Sequence, residues 1–158
     1  MDAAAGKENF KALISELTAT IAGRPLDAAL EADLNTRYPA GSAAFRDIVE
    51  ACKAGVAEGW MCSREAGGIR YGRVIKAGDE THGFSVDVVD MDDVVGPHHR
   101  HPNGEIDLVM PLTEDAKFDG RGAGWMVYGP GSAHPPTVSG GRAYVLYLLP
   151  GGAIEFTS

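Results

Sequence analysis

The sequence contains few cysteines, few basic residues and no long apolar run, and each shortage excludes a class of protein. Two cysteines are too few for a disulfide scaffold and suit a reducing compartment. Only 14 basic residues stand against 22 acidic ones, a net charge of -8, so there is no basic tract to bind nucleic acid or an anionic membrane. The longest apolar run, residues 143–149, is far shorter than a membrane span.

The N-terminal residues also lack the basic and apolar regions of a secretory signal. We therefore expect a cytoplasmic protein. The 158 residues suffice for one domain, and 21 glycines and nine prolines interrupt any long heptad repeat, which excludes a coiled coil.

Residues 1–60 show the periodicity of helices. Apolar residues recur there at spacings of three and four in three stretches. The first stretch stops before Gly23, the second before Pro39, and the third runs from a Ser42 N-cap to Gly59. This pattern predicts an N-terminal helical segment of two to three helices.

Residues 61–158 show a different pattern, in which apolar residues alternate and turn residues recur about every eight to twelve positions. The predicted strands are 69–76, 83–90, 94–101, 104–111, 124–129, 133–138, 142–149 and 153–157. Many short strands at this spacing favour a β-sandwich or barrel. The sequence therefore predicts a mainly β protein, in which the helices pack on the barrel or on a partner subunit.

Four residues of metal-binding type follow one another across this β-rich part. His99 and His101 lie two residues apart, so on a strand both imidazoles point to one face. A turn signal at 103–104 brings Glu105 back beside them, and His134 follows a second turn. Three imidazoles and one carboxylate suit Fe, Mn, Ni, Co, Cu or Zn, so we expect one divalent transition metal. An unrelated polar loop is the alternative, which four ligands in order disfavour.

The pattern His-x-His-x3-Glu, followed by Pro-Gly-Ser-x-His, resembles the two metal motifs of the cupin superfamily. The segments 59–74, 101–106 and 146–156 resemble more narrowly the 4-hydroxylaminobenzoate lyase family. The resemblance implies a cupin-type double-stranded β-helix, or jelly-roll barrel, with the four residues above as metal ligands.

The same resemblance implies the reaction. A lyase of this family converts 4-hydroxylaminobenzoate to 3,4-dihydroxybenzoate (protocatechuate) and ammonia, in the degradation of aromatic compounds. The net change adds water and needs no redox partner, in agreement with the lack of a dinucleotide motif. Exposed barrel edges and an apolar helical segment favour a homodimer.

Two residues beside the ligands are candidates for catalysis. If Glu105 faces the barrel interior, Asp107 does too, and a buried carboxyl near a metal is a candidate proton donor or acceptor. A solvated Asp107 at the barrel mouth is the equal alternative. His98 points away from His99 on a regular strand, which favours a supporting or surface role over ligation.

The substrate carboxylate needs a cationic partner, for which arginine is suited because its guanidinium binds carboxylates bidentately. Arg70 and Arg73 lie on opposite faces of one strand, so at most one of them faces inward. Tyr128 is a candidate for lining an aromatic pocket. Ordinary solvation or core packing is the alternative for each.

Two other functions remain compatible with the sequence. One is a metal-dependent dioxygenase acting on a small aromatic or thiol substrate, which would require oxygen. The other is a non-catalytic cupin that binds a small molecule without turnover. The fold alone does not distinguish these functions from the lyase reaction, because one scaffold hosts many chemistries.

Overall fold

The computed structural model describes residues 3–157, which form three α-helices followed by ten β-strands. The helices are α1 (Ala3–Ile21), α2 (Ala28–Arg37) and α3 (Ala43–Glu58). The strands are β1 (Arg64–Ala66), β2 (Ile69–Ile75), β3 (Phe84–Val95), β4 (His99–His101), β5 (Glu105–Pro111), β6 (Lys117–Phe118), β7 (Gly124–Tyr128), β8 (Ser132–His134), β9 (Thr137–Pro150) and β10 (Glu155–Phe156). The predicted mainly β fold with an N-terminal helical segment is confirmed.

The helix ends follow local signals in the sequence. At the start of α3 the Ser42 hydroxyl accepts a hydrogen bond from the Phe45 N–H at 3.3 Å, and the Asp27 side chain caps α2 in the same way. Helix α3 ends at Gly59, whose φ of 86° is the left-handed conformation that favours glycine. The third helix is thus confirmed at both ends. The second begins later than its apolar spacing suggests, because Asp27 is its N-cap and Leu26 lies outside it.

The strands form two antiparallel sheets. The larger sheet has the order β1-β2-β3-β9-β5-β7, with β6 paired to β9, and the smaller one has the order β10-β4-β8. Every strand pairing within the described range is antiparallel. This is the arrangement expected of the predicted jelly-roll barrel.

The predicted strand boundaries differ from the structure in three places. Strands β1 and β6 were not predicted, because three and two residues are too few to show alternation. The predicted strand 94–101 is divided, since β3 stops at Val95 and β4 starts at His99. The predicted strands 133–138 and 142–149 are wrong as separate units, because β9 runs without a break from Thr137 to Pro150.

Alternation along the strands gives the larger sheet two different faces. On β5, Ile106 and Leu108 join the hydrophobic cluster to which all three helices contribute buried residues. Val109 belongs to a second cluster inside the barrel, and Asp107 shares its face. The helices therefore pack on the outer face of the sheet, and the division of the chain into two domains at residue 60 stays a prediction. Among the described residues, none of the helices combines the length and apolarity that crossing a membrane requires.

Helix α2 covers one edge of the larger sheet. Strand β7 is the last strand on that side, and its outward backbone groups bond to α2 side chains. Asn35 accepts a hydrogen bond from the Trp125 N–H and donates one to the Trp125 carbonyl, both at 2.9 Å. Glu31 accepts one from the Val127 N–H at 2.9 Å. The edge is therefore paired with side chains instead of a further strand.

Candidate metal centre

Two short strands and a turn bring the four predicted ligands together. His99 and His101 share one face of β4. Gly104, at a φ of 86°, makes the left-handed turn into β5, whose first residue is Glu105. Strand β8 pairs with β4 so that His134 lies opposite His99.

The four side chains converge on Glu105. Its carboxylate oxygens lie 3.1 Å from His101 Nε2, 3.8 Å from His99 Nε2 and 3.8 Å from His134 Nε2. The ligand atoms of all four residues lie within 4.8 Å of one another. Side-chain exposure is 0% for His101 and Glu105, 2% for His99 and 11% for His134, so solvent approaches the cluster on the His134 side.

Each histidine is anchored through its other ring nitrogen, Nδ1. The hydrogen-bonded pairs are His99 with the Pro97 carbonyl at 3.3 Å, His101 with the Ser132 hydroxyl at 2.9 Å and His134 with the Asp119 carboxylate at 2.5 Å. The Ser132 hydroxyl donates its own proton to the Gly129 carbonyl at 2.7 Å, so it accepts from His101. All three partners accept, and each ring therefore carries its proton on Nδ1 and presents the lone pair of Nε2 to the cluster.

The ligand atoms that face one another have no partner in the rest of the protein. Within residues 3–157, the three Nε2 atoms and both Glu105 oxygens are buried and find no hydrogen-bond partner outside the cluster. Such an arrangement is costly unless a cation lies among the acceptors. A metal ion fits the cluster, because imidazole nitrogen and carboxylate oxygen are the donors that first-row transition ions prefer.

Glu105 and Asp107 are two buried carboxyl groups with opposite shifts. Burial alone would raise the pKa of Glu105, but interactions with the neighbouring side chains of His101, His99 and Asp107 lower it. Burial and the negative charge of Glu105 raise the pKa of Asp107 well above its ordinary value. The ionised form is therefore favoured at Glu105 and the protonated form at Asp107.

Sequence reasoning missed Asp119, which links two side chains at the cluster. Its carboxylate accepts hydrogen bonds from His134 Nδ1 and from the Tyr128 hydroxyl, both at 2.5 Å, and from the Thr137 N–H at 3.0 Å. Burial alone would raise the pKa of Asp119, but these bonds lower it overall. The signal was the dipeptide Asp119-Gly120, which is typical of a tight hairpin turn.

Aromatic rings pack next to the histidines of the cluster. Tyr128 lies 4.5 Å and Phe118 6.0 Å from the His134 ring, measured between ring centroids. Phe156 lies 5.9 Å from the His99 ring and is 67% exposed. These rings form an apolar wall around the ligand atoms.

The structure does not bring all of the other predicted site residues to the cluster. His98 is exposed and bonds to the Thr157 hydroxyl, so the structure does not bring it into the cluster. Arg70 is exposed on the face of β2 opposite Ile69, whereas Arg73 shares the inward face of Ile69. Arg73 already binds Asp87 through two nitrogens, at 2.8 and 3.1 Å.

Comparison with known proteins gives a consistent result. A family model described as PnbB, 4-hydroxylaminobenzoate lyase, matches residues 12–156. A 4-hydroxylaminobenzoate lyase from Nocardioides sp. (strain LMS-CY) is 38% identical over 136 residues, 80% of each chain. One from Pseudomonas putida is 32% identical over 167 aligned positions, 95% of each chain. Among solved structures, an RmlC-like cupin protein from Ralstonia eutropha is 10% identical, covers 61% of this chain and 64% of its own, and gives a TM-score of 0.45.

Proposed function

The chain belongs to the 4-hydroxylaminobenzoate lyase family, and on that premise we propose that it converts 4-hydroxylaminobenzoate and water to 3,4-dihydroxybenzoate and ammonia in a metal-dependent reaction. Family membership makes the chain a lyase and supports this substrate. The observation that supports metal dependence is the set of five buried atoms, on four residues, that have no hydrogen-bond partner outside the cluster in the described range. A homodimeric state, a cytoplasmic location and a place in aromatic degradation stay predictions from the sequence.

His99, His101, Glu105 and His134 would hold one divalent transition ion. When bound, such an ion supplies Lewis acidity for the charge that develops on an oxygen leaving nitrogen. The three Nδ1 hydrogen bonds keep the rings fixed, so the ligand set is formed before the ion arrives.

Asp107 would supply a proton to the reaction. The N–O bond of the substrate breaks with its oxygen leaving as water, and this requires a proton at that oxygen. Asp107 is fully buried beside Glu105, which raises its pKa and so favours the protonated form that a general acid needs. Water then adds to the neighbouring ring carbon, and hydrolysis of the imine releases ammonia.

The aromatic ring and the carboxylate of the substrate need separate partners. Tyr128, Phe118 and Phe156 offer the ring an apolar surface beside the ligand atoms. Of the two predicted arginines, Arg73 is the better partner for the carboxylate, because it lies on the inward face of β2. Its Nε and Nη2 atoms are used by Asp87 and by the Gly152 carbonyl, which leaves Nη1 for a further acceptor.

The test is an anaerobic incubation of the purified, metal-analysed protein with 4-hydroxylaminobenzoate, in which ammonia and 3,4-dihydroxybenzoate are measured together. We expect both products in equal amounts without oxygen, and loss of turnover after chelation with recovery on adding metal. A requirement for oxygen would instead indicate a dioxygenase. Binding without turnover, at about one metal per chain, would refute the proposed reaction while leaving the metal site in place.

A further inference from the structure

Among the described residues, Asp119 is the one charged group that anchors an imidazole of the cluster through Nδ1. We propose that Asp119 is a positioning residue, which holds His134 in the tautomer that can bind a metal and fixes the Tyr128 hydroxyl beside it. The inference rests on the metal dependence proposed above and extends it to a residue outside the ligand set.

Four hydrogen bonds fix the position of Asp119 and the direction of its carboxylate. One carboxylate oxygen, Oδ2, accepts from both His134 Nδ1 and the Tyr128 hydroxyl at 2.5 Å. The other, Oδ1, accepts from the Thr137 N–H at 3.0 Å, and the Asp119 N–H donates to the Thr137 carbonyl at 2.8 Å. Both oxygens are therefore used as acceptors, and the ring of His134 cannot turn over without losing its partner.

The other two histidines have weaker anchors. The partner of His99 is a neutral carbonyl at 3.3 Å and that of His101 is a neutral hydroxyl at 2.9 Å. A hydrogen bond to a charged acceptor is roughly twice as strong as a neutral one. His134 is also the most exposed of the three, at 11%. The anionic partner thus lies at the ring that solvent reaches most.

A purely structural role for Asp119 can be separated from this one. Asp119 has a φ of 48° and Gly120 one of 82°, and Phe118 and Arg121 exchange backbone hydrogen bonds of 2.8 and 2.9 Å across them. This is a tight hairpin turn, in which asparagine is as acceptable as aspartate. Asparagine, however, offers an acceptor at only one of the two oxygen positions. Asp119→Asn therefore keeps the turn but leaves at least one of the three donors without an acceptor.

The chain also contains a matched control for this substitution. Asp93 has a similar φ of 42°, and its carboxylate accepts a hydrogen bond from the Gly140 N–H at 2.8 Å. Within residues 3–157, Asp93 forms no hydrogen bond or ion pair with any of the four cluster residues. Asp93→Asn thus makes the same chemical change in the same backbone conformation, away from the cluster.

The experiment measures Co²⁺ binding and the tautomer of His134 in the full chain. Co²⁺ affinity is determined by competition with a chelating dye, and the visible spectrum of the bound ion reports its coordination. We expect Asp119→Asn to bind Co²⁺ about ten- to a hundredfold more weakly, with an altered spectrum, and Asp93→Asn to match the wild type. In the metal-free protein, long-range ¹H–¹⁵N spectra should show His134 protonated on Nδ1 in the wild type and as a tautomer mixture in Asp119→Asn.

The outcomes separate the two proposals. Unchanged Co²⁺ affinity and spectrum in Asp119→Asn would overturn the role of Asp119, whatever the wild type catalyses. So would a single unchanged His134 tautomer in that variant, a readout that needs no metal. Weakened Co²⁺ binding in Asp119→Asn, together with a wild type that does not turn over 4-hydroxylaminobenzoate, would support Asp119 and refute the proposed reaction.

Discussion

The two faces of strand β5 differ in what they bury. The outward residues, such as Ile106 and Leu108, are apolar and pack under the helices. The inward residues Glu105 and Asp107 are equally buried, at 0% exposure, yet their oxygens find no hydrogen-bond partner outside the cluster in the described range. One strand thus carries an ordinary hydrophobic core on one side and four costly oxygen atoms on the other.

The outer face of β5 therefore stabilises the fold, whereas its inner face carries the groups proposed to act in the reaction. Burying an apolar side chain stabilises the fold, whereas burying an unpaired polar group opposes it. The helices contribute to this balance, because their buried residues pack on the outer face and stabilise the fold. Substitutions on the two faces should therefore have opposite effects on stability and on turnover.

The largest effect is expected at a metal ligand on the inner side. His101→Ala removes a fully buried ligand atom, and we expect loss of both metal binding and turnover. His98→Ala is the control, since the neighbouring His98 is exposed and bonds only to Thr157 among the described residues, and it should keep turnover. Bound metal is measured by elemental analysis of the purified variants. Full turnover by a metal-free His101→Ala would contradict the proposed metal dependence.

The next largest effect is expected at Asp107. Asp107→Asn keeps the shape of the side chain but removes the acidic proton, and should lower kcat by about 10² to 10⁴. Asp107→Val replaces a buried polar group, whose desolvation opposes folding, with an apolar one, and should raise the free energy of unfolding of the metal-free protein by about 1 kcal/mol. Both are measured against the wild type, by steady-state kinetics and by urea unfolding. A destabilised Asp107→Val would show that the carboxyl is stabilised inside the barrel.

On the opposite face of the same strand, Leu108→Ala should reverse this result. Leu108 is fully buried under the helices, so its truncation should cost about 2–5 kcal/mol of unfolding free energy. The kcat of the molecules that remain folded should be unchanged, because no atom of Leu108 faces the barrel interior. A fall in kcat without a loss of stability would contradict the view that the outer face acts on stability alone.

The smallest effect is expected on β2, where two arginines lie on opposite faces. Arg73→Ala should raise the KM for 4-hydroxylaminobenzoate about fivefold, the loss of about 1 kcal/mol from a partly exposed charge pair. Arg70→Ala should leave KM unchanged, because that side chain is on the outer face. Phenylhydroxylamine, which lacks the carboxylate, sharpens the test, since its KM should not respond to Arg73→Ala.

The cluster of four candidate ligands could be predicted from the sequence because its geometry is local. His99 and His101 share a face by strand periodicity, and the turn signal at residues 103–104 predicts that Glu105 returns beside them. The placing of Asp107 inside and Leu108 outside follows from the same alternation and is confirmed.

Asp119 could not be predicted in this way. Its contact with His134 joins the turn after β6 to the end of β8, and these meet only once β6 has paired with β9, a pairing of two residues in register. The length of β9 was missed for a similar reason. The Gly140-Gly141 pair suggests a turn, but in the structure both residues lie inside the strand with φ values of 75° and 142°. Such features depend on distant contacts and leave little local pattern.

Helix α2 also has a consequence for how the protein behaves at high concentration. A free edge strand is a template on which another chain can add a strand of its own. Asn35 and Glu31 already bind the outward N–H groups of Trp125 and Val127, so β7 offers no such template at those positions. At the other end of the sheet, β1 has only three residues. Unfolding of α2 alone would therefore expose β7 to strand addition, and we expect variants that weaken this helix to aggregate before the barrel itself unfolds.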